Sequence, residues 1–191
     1  MHIGRHIVQQ LVLQFGPPAV ERWSLPLGEE EFAEVKKNRS LGRAHDVTVL
    51  IERGDELVVV RKPDYPPEAY RAPTGGIHPE ESFLDGAVRE AREKTGLEVE
   101  IRGYPLYVLV SFTYQEETAQ WSTHVLTAVP LSNGLSPSEE SEIASARWIE
   151  WNQLVKEVNP VLRDSGLGGL AYRARVHEKA YELRMEGGKS K

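Results

Sequence analysis

The chain has 191 residues and no cysteine. That excludes disulfides, a thiolate nucleophile and a thiolate metal site, and it fits any cellular compartment. No apolar run reaches the roughly 18 residues of a membrane span, so no membrane partner is expected. Lysine- or arginine-rich runs are missing outside the short tail at 187–191. With a net charge of −6 and a pI near 5.6, the composition argues against a surface for polymeric nucleic acid. Residues 1–15 carry Ile7, Val8, Leu11, Val12 and Leu13, but Gln9, Gln10 and Gln14 interrupt them and no small-residue cleavage site follows. This is not a secretory signal, which leaves the cytoplasm as the default location. There is no internal repeat and no low-complexity segment.

What is present is enough chain for one domain with a real core plus extensions. Residues 6–15 suit a strand or a short helix, ended by Gly16-Pro17-Pro18. Residues 29–37 read as a polar helix with Phe32 and Val35 as its apolar contacts. β-Branched runs at 47–51 and 56–60 flank Arg53-Gly54-Asp55 and predict a hairpin. The prolines at 63, 66 and 67 then forbid a ladder and make a loop. Two long strands follow at 99–112 and 120–129, joined by a polar turn at 115–118, with a short strand at 146–149 and a helix at 152–158. Residues 166–169 read as flexible, and 171–185 as a helix carrying Tyr172, Val176, Ala180, Tyr181 and Leu183.

The chemistry concentrates at 75–97. Phe83, Leu84, Ala87, Val88 and Ala91 recur at helical spacings and predict a helix over 81–95, which Gly96 stops. At about 100° per residue, Glu90, Glu93 and Lys94 project into one neighbourhood, just after the loop Thr74-Gly75-Gly76. A glycine loop leading into a helix N-terminus suits phosphate. Carboxylates nearby suit a hard cation such as Mg²⁺, which binds one or two acids and shares the rest of its shell with water and substrate phosphates.

Against the pattern G-x5-E-x7-R-E-U-x-E-E-x-G-U, with U a bulky aliphatic residue, the chain supplies Gly75, Glu81, Arg89, Glu90, Glu93, Gly96 and Leu97 at the required spacings. In this it resembles the Nudix hydrolase family. Two positions depart: Ala91 is small at the first U, and Lys94 replaces the last glutamate. The resemblance implies a mixed α and β fold, an α/β/α sandwich around a mixed sheet. It assigns 46–158 to the Nudix domain, 1–45 to an N-terminal extension and 159–191 to a C-terminal helical extension. Extensions of this kind pack on the core or build a homodimer, and the dimer is the favoured expectation.

The resemblance further implies metal-dependent hydrolysis of a diphosphate linkage in a small nucleoside diphosphate derivative, with Mg²⁺ or Mn²⁺ as cofactor. Glu90, Glu93 and the Gly75 carbonyl are the expected metal ligands, while Glu81 and Arg89 brace the loop against the helix. A catalytic base is sought among Glu139, Glu140 and Glu142, with Glu142 first. Arg61, Arg71 and Lys94 are candidates for substrate binding, and Trp121 and Tyr114 for stacking on a base; His78 and His124 more simply serve packing or solvent. Lys94 leaves three readings open. It can pair with Glu90 four residues earlier, it can replace part of a metal's charge and bind phosphate, or it can repel the cation and leave a nucleotide-binding module without activity. An isomerase reading lacks the cysteine that such chemistry would use.

Overall fold

The computed structural model describes residues 5–138 and 142–188. Its elements in chain order are α1 (Arg5–Phe15), β1 (Ala19–Pro26), α2 (Glu29–Ser40), β2 (His45–Arg53), β3 (Glu56–Arg61), β4 (Thr74–Gly75), α3 (Phe83–Thr95), β5 (Val99–Tyr114), β6 (Glu117–Pro130) and β7 (Ser145–Glu150). A helical stretch then runs through α4 (Trp151–Gln153), a π-helical turn (Leu154–Val158) and α5 (Asn159–Asp164), before the long α6 (Gly168–Gly188). The mixed α/β sandwich implied by the sequence is the observed architecture.

The sheet has strand order β1-β5-β6-β2-β3-β7, with β4 beside β2. β5 and β6 form the long antiparallel hairpin, turned by Gln115 in the left-handed region at φ 51°. β2 runs parallel to β6, and β3 links β2 to β7 through antiparallel pairing. Residues 45–51 of β2 are all buried, as expected of an interior strand covered on both faces. β1 was not anticipated from sequence. Its polar residues and flanking prolines argue against a strand, yet it pairs in parallel with β5 from Ala19 to Pro26. An edge position explains the tolerance, because only one side of the strand needs a partner.

Two apolar cores hold the layers together. On one face, Phe32 of α2, Leu162 of α5 and Tyr172, Val176 and Ala180 of α6 pack with Trp23, Leu106, Val108 and Val110 of the sheet. On the other, Leu11 of α1 and Phe83, Ala87 and Ala91 of α3 pack with Val47, Val49 and Leu126. The first segment is therefore a helix, and residues before the hairpin are used within the chain as helix, edge strand and helix.

α3 starts two residues later than its apolar pattern suggests, because Ser82 acts as N-cap and accepts the Asp85 backbone N–H at 3.1 Å. It stops at Gly96, whose φ of 78° is the left-handed conformation open to glycine. Of the stretch 166–169 expected to be flexible, Gly168 and Gly169 instead begin α6. The Glu31 carboxylate on α2 accepts the backbone N–H groups of Gly168 at 3.0 Å and Gly169 at 2.8 Å. A carboxylate there satisfies donors left orphaned at a helix start and complements the helix dipole. That contact joins α2 to α6.

Two buried histidines lock this arrangement. His177 on α6 accepts the Ala72 N–H at Nε2, 3.2 Å away, and its Nδ1 lies 2.9 Å from the Asn159 side-chain oxygen. Nδ1 therefore carries the proton. His124 on β6 meets the Tyr104 hydroxyl at 2.8 Å and stacks on Tyr107 at 4.7 Å. Burial pushes both imidazoles down to a pKa of about 3. The unfolded chain takes up these protons below about pH 6.5 while the folded chain does not. Their stabilising effect is thus complete above pH 6.5 and is lost as pH falls towards about 3. Between pH 6.5 and 5, before carboxylates titrate, each should remove on the order of 2 kcal/mol. Urea unfolding at pH 7 and pH 5 should show that loss, reduced in a His124→Phe variant; equal stability at both values would refute the assignment.

Candidate active site

The glycine loop and α3 are fastened by one arginine. Arg89 donates from Nη2 to Glu81 Oε1 at 2.7 Å and to the Gly76 carbonyl at 2.9 Å. Its Nε reaches Glu81 Oε2 at 3.0 Å, and its Nη1 reaches Glu93 Oε2 at 2.7 Å and Glu90 Oε1 at 3.2 Å. Hydrogen bonds from Arg89 hold the Glu81 carboxyl below the usual carboxylate range, and Glu81 in turn raises the guanidinium. Only a planar fork reaches so many acceptors in fixed directions. Glu81 also accepts the His78 N–H at 2.7 Å, so it braces the loop from within.

Glu90 is 7% exposed. Its Oε1 accepts the Gly76 N–H at 3.0 Å, and a Cβ on Gly75 would fall on its carboxylate. Glycine is required at 75 for that close approach. Glu90 Oε2 lies 3.2 Å from Lys94 Nζ and otherwise lacks a hydrogen-bond donor among the described residues. Lys94 also donates to Glu142 Oε2 at 3.2 Å. The charge of Lys94, more than any other cause, lowers the Glu142 pKa.

These groups open onto a cleft of about 840 Å³ whose lining includes Gly75, Arg89, Glu90, Glu93, Lys94 and Glu142. Arg71, His78 and Trp121 line it too. Arg71 is 5% exposed, donates to the Ala72 carbonyl at 3.3 Å and lies over Tyr65 at 5.8 Å. It makes no salt bridge to a carboxylate among the described residues. Arg61 is not brought into the cleft. It ends β3 opposite Ser145 and turns to the Lys62 carbonyl, while Lys62, the next residue, lines the cleft. Glu81 lies behind the lining, Tyr114 packs near Phe32 at 5.9 Å, and His124 is in the core. Glu139 and Glu140 lie outside the described residues.

The far wall was missed in the sequence because it comes from the flanks: Glu30 and Glu34 of α2, Arg43, Asp46 at the start of β2, and Tyr172 and Arg173 of α6. Arg173 donates to Asp46 Oδ2 at 2.6 Å, and Tyr172 and Asp46 meet at the Thr123 hydroxyl. Burial alone would raise the Asp46 pKa, but Arg173 and Thr123 outweigh it and leave the group lowered. Their sequence separation of 127 residues carries no local signal of this pairing.

Among the described residues no three acids or imidazoles converge as a ready metal cage. The donor set nonetheless fits a divalent cation that brings oxygen ligands with it. Glu90 Oε2 is buried and short of partners, Glu93 lines the same cleft, and Mg²⁺ commonly takes one or two carboxylates plus phosphate and water.

Because Arg89 binds loop and helix together at a side chain only a quarter exposed, Arg89→Ala should lower unfolding free energy by about 2–3 kcal/mol. Arg89→Lys should recover less than half of that loss, since an ammonium lacks the fork. Urea denaturation curves measure both; a lysine variant as stable as the original protein would contradict this account of the brace.

Comparison with known proteins agrees with the geometry. A family model for the NUDIX domain matches residues 42–165. A stretch of 51 residues is 39% identical to the NAD-capped RNA hydrolase NudC of Stutzerimonas stutzeri (strain A1501), covering 27% of this chain and 18% of that protein. Similar solved structures include a NUDIX hydrolase from Nitrosomonas europaea, at 16% identity and TM-score 0.49 over 70% of this chain and 89% of that one. A UDP-X diphosphatase matches at 20% identity and TM-score 0.49 over 80% and 73% of the two chains. An ADP-ribose pyrophosphatase from Streptococcus suis 89-1591 matches at 17% identity and TM-score 0.43 over 56% and 74%. With its glycine loop, braced helix and the family model spanning most of its length, the chain belongs to the Nudix hydrolase family.

Proposed function

We propose that this protein hydrolyses the diphosphate linkage of a nucleoside diphosphate derivative bound in the cleft, with Mg²⁺ or Mn²⁺. The observation that carries the reading is Arg71. A guanidinium that is 5% exposed and forms no salt bridge to a carboxylate among the described residues is costly unless an anion joins it. A phosphate group beside it, with Lys62 and Arg173 on the same lining, offsets that cost.

In this reading Glu90, Glu93 and the Gly75 carbonyl hold the cation, which when bound supplies neutralisation of phosphate oxygens and acidification of water. Arg71 and Lys62 orient the diphosphate, and the fixed charges stabilise the anionic transition state without reorganising. Water attacks phosphorus as the bridging P–O bond breaks, giving two phosphorylated products. Glu142 stays ionised beside Lys94 and directs the attacking water by hydrogen bonding; the released proton passes on to solvent. A carboxylate with a lowered pKa suits positioning better than strong basicity.

A second reading is favoured by Lys94. An ammonium 3.2 Å from Glu90 and 3.2 Å from Glu142 suits a module that binds nucleotide without turning it over. The test is incubation with sugar nucleotides, dinucleoside diphosphates, nucleoside triphosphates and, because one relative is an NAD-capped RNA hydrolase, an NAD-capped oligonucleotide. The diphosphate reading expects metal-dependent appearance of two phosphorylated products by mass spectrometry, with kcat lowered about 100-fold or more in Glu90→Gln or Glu93→Gln. Binding that survives chelator with no product would replace it by the second reading, and undiminished turnover in both variants would remove the proposed roles of the two acids.

A further inference from the structure

Lys94 is 5% exposed, yet it lines the cleft with the acids of α3. Its ammonium bridges Glu90 Oε2 and Glu142 Oε2, each at 3.2 Å. It thereby ties α3 to the segment entering β7, 48 residues further along the chain. A buried ammonium persists only where carboxylates compensate it, and two carboxylates facing one site repel each other unless a cation lies between them. Lys94 meets both demands at once. On the other side of Glu90, Arg89 engages Oε1 at 3.2 Å and also holds Glu93 Oε2 at 2.7 Å. The acids of the site are thus balanced by covalently attached cations before any ligand arrives.

We infer that Lys94 takes the place of a resident divalent cation, so that the free protein holds Mg²⁺ or Mn²⁺ weakly and the ion enters as a chelate of the substrate's diphosphate. The inference deepens the diphosphate reading above and rests on it for the identity of the chelator. Its physical basis is the position of a fixed positive charge beside Glu90, the most buried acid of the set, where it opposes a bare cation. A chelate carries its own negative oxygens, which Lys94 and Arg71 attract. The ion then needs only one or two protein carboxylates, the usual requirement of Mg²⁺ in phosphate sites. Lys94 is a positioning residue here: it holds Glu90 and Glu142 together until the chelate arrives.

The test is Mn²⁺ uptake by the whole, substrate-free protein, read as loss of the free-ion electron paramagnetic resonance signal, for wild type, Lys94→Gln and Lys94→Glu. Lys94→Glu should bind Mn²⁺ alone at least about tenfold more tightly than wild type, with Lys94→Gln between them. Adding α,β-methylene ADP, which cannot be hydrolysed at its diphosphate, should raise protein-associated Mn²⁺ in wild type at least about tenfold, as measured by equilibrium dialysis. Thermal melting guards against a variant that fails to fold: Mn²⁺ alone should raise the Tm of Lys94→Glu and leave that of wild type unchanged. Wild type that binds Mn²⁺ alone as tightly as Lys94→Glu overturns the inference, as does uptake indifferent to the methylene analogue. Tight binding by free wild type together with turnover on the substrate panel sinks the role of Lys94 alone. Weak binding with silence on that panel sinks the diphosphate reading, because the titration without nucleotide needs no turnover.

Discussion

The site depends on one guanidinium. Arg89 ties Glu81, Glu90, Glu93 and the Gly76 carbonyl into a single bonded unit, so the loop and the helix cannot move independently. A chain of neutral contacts would not do this, because the acids it gathers repel one another when left unpaired. The glycines serve the same unit. With no Cβ at 75, the Glu90 carboxylate can lie directly on the loop backbone and accept the Gly76 N–H. The supports of this geometry are charge-assisted hydrogen bonds in a partly buried setting, which hold the acids in fixed directions.

Around this unit the cleft is completed by segments far away in sequence. β1 extends the sheet beside β5, α2 and α6 cover the same face, and Glu31 joins them by receiving the first N–H groups of α6. His177 then connects α6 to Ala72, immediately after Arg71. The backbone next to the buried arginine that faces the cleft is therefore held by a residue over a hundred positions downstream, through an imidazole whose burial keeps it neutral. The flanks are structural parts of the cleft wall.

Much of this could be read before the structure. The helical spacing of Phe83, Ala87 and Ala91 located α3, and the β-branched runs located β2 and β3, because burial of one face imposes a regular period on the chain. The long hairpin was legible for the same reason. β1 was not, since Glu21, Arg22 and Ser24 break its apolar residues, prolines stand at both ends, and its partner lies more than eighty residues away. Residues 166–169 read as flexible because glycine is weak in helices, and the Glu31 carboxylate from another element supports Gly168 and Gly169 as a helix start. Arg61 and Lys62 illustrate the limit at single-residue scale: both are basic at the end of one strand, but only Lys62 is delivered to the cleft.

By itself, the sequence determined the chemical inventory: which acids, cations and glycines stand at fixed spacing over 75–97, and that Lys94 occupies the position of an acid. Spacing along a helix is local geometry, so residue types and intervals suffice to set it. Tertiary structure alone decided what those groups face. It placed Glu142 against Lys94, Arg173 against Asp46, and α2 and α6 across the cleft from the glycine loop and α3. Those pairings cross long intervals of chain, and their energies arise only when burial removes the water that would otherwise screen each charge.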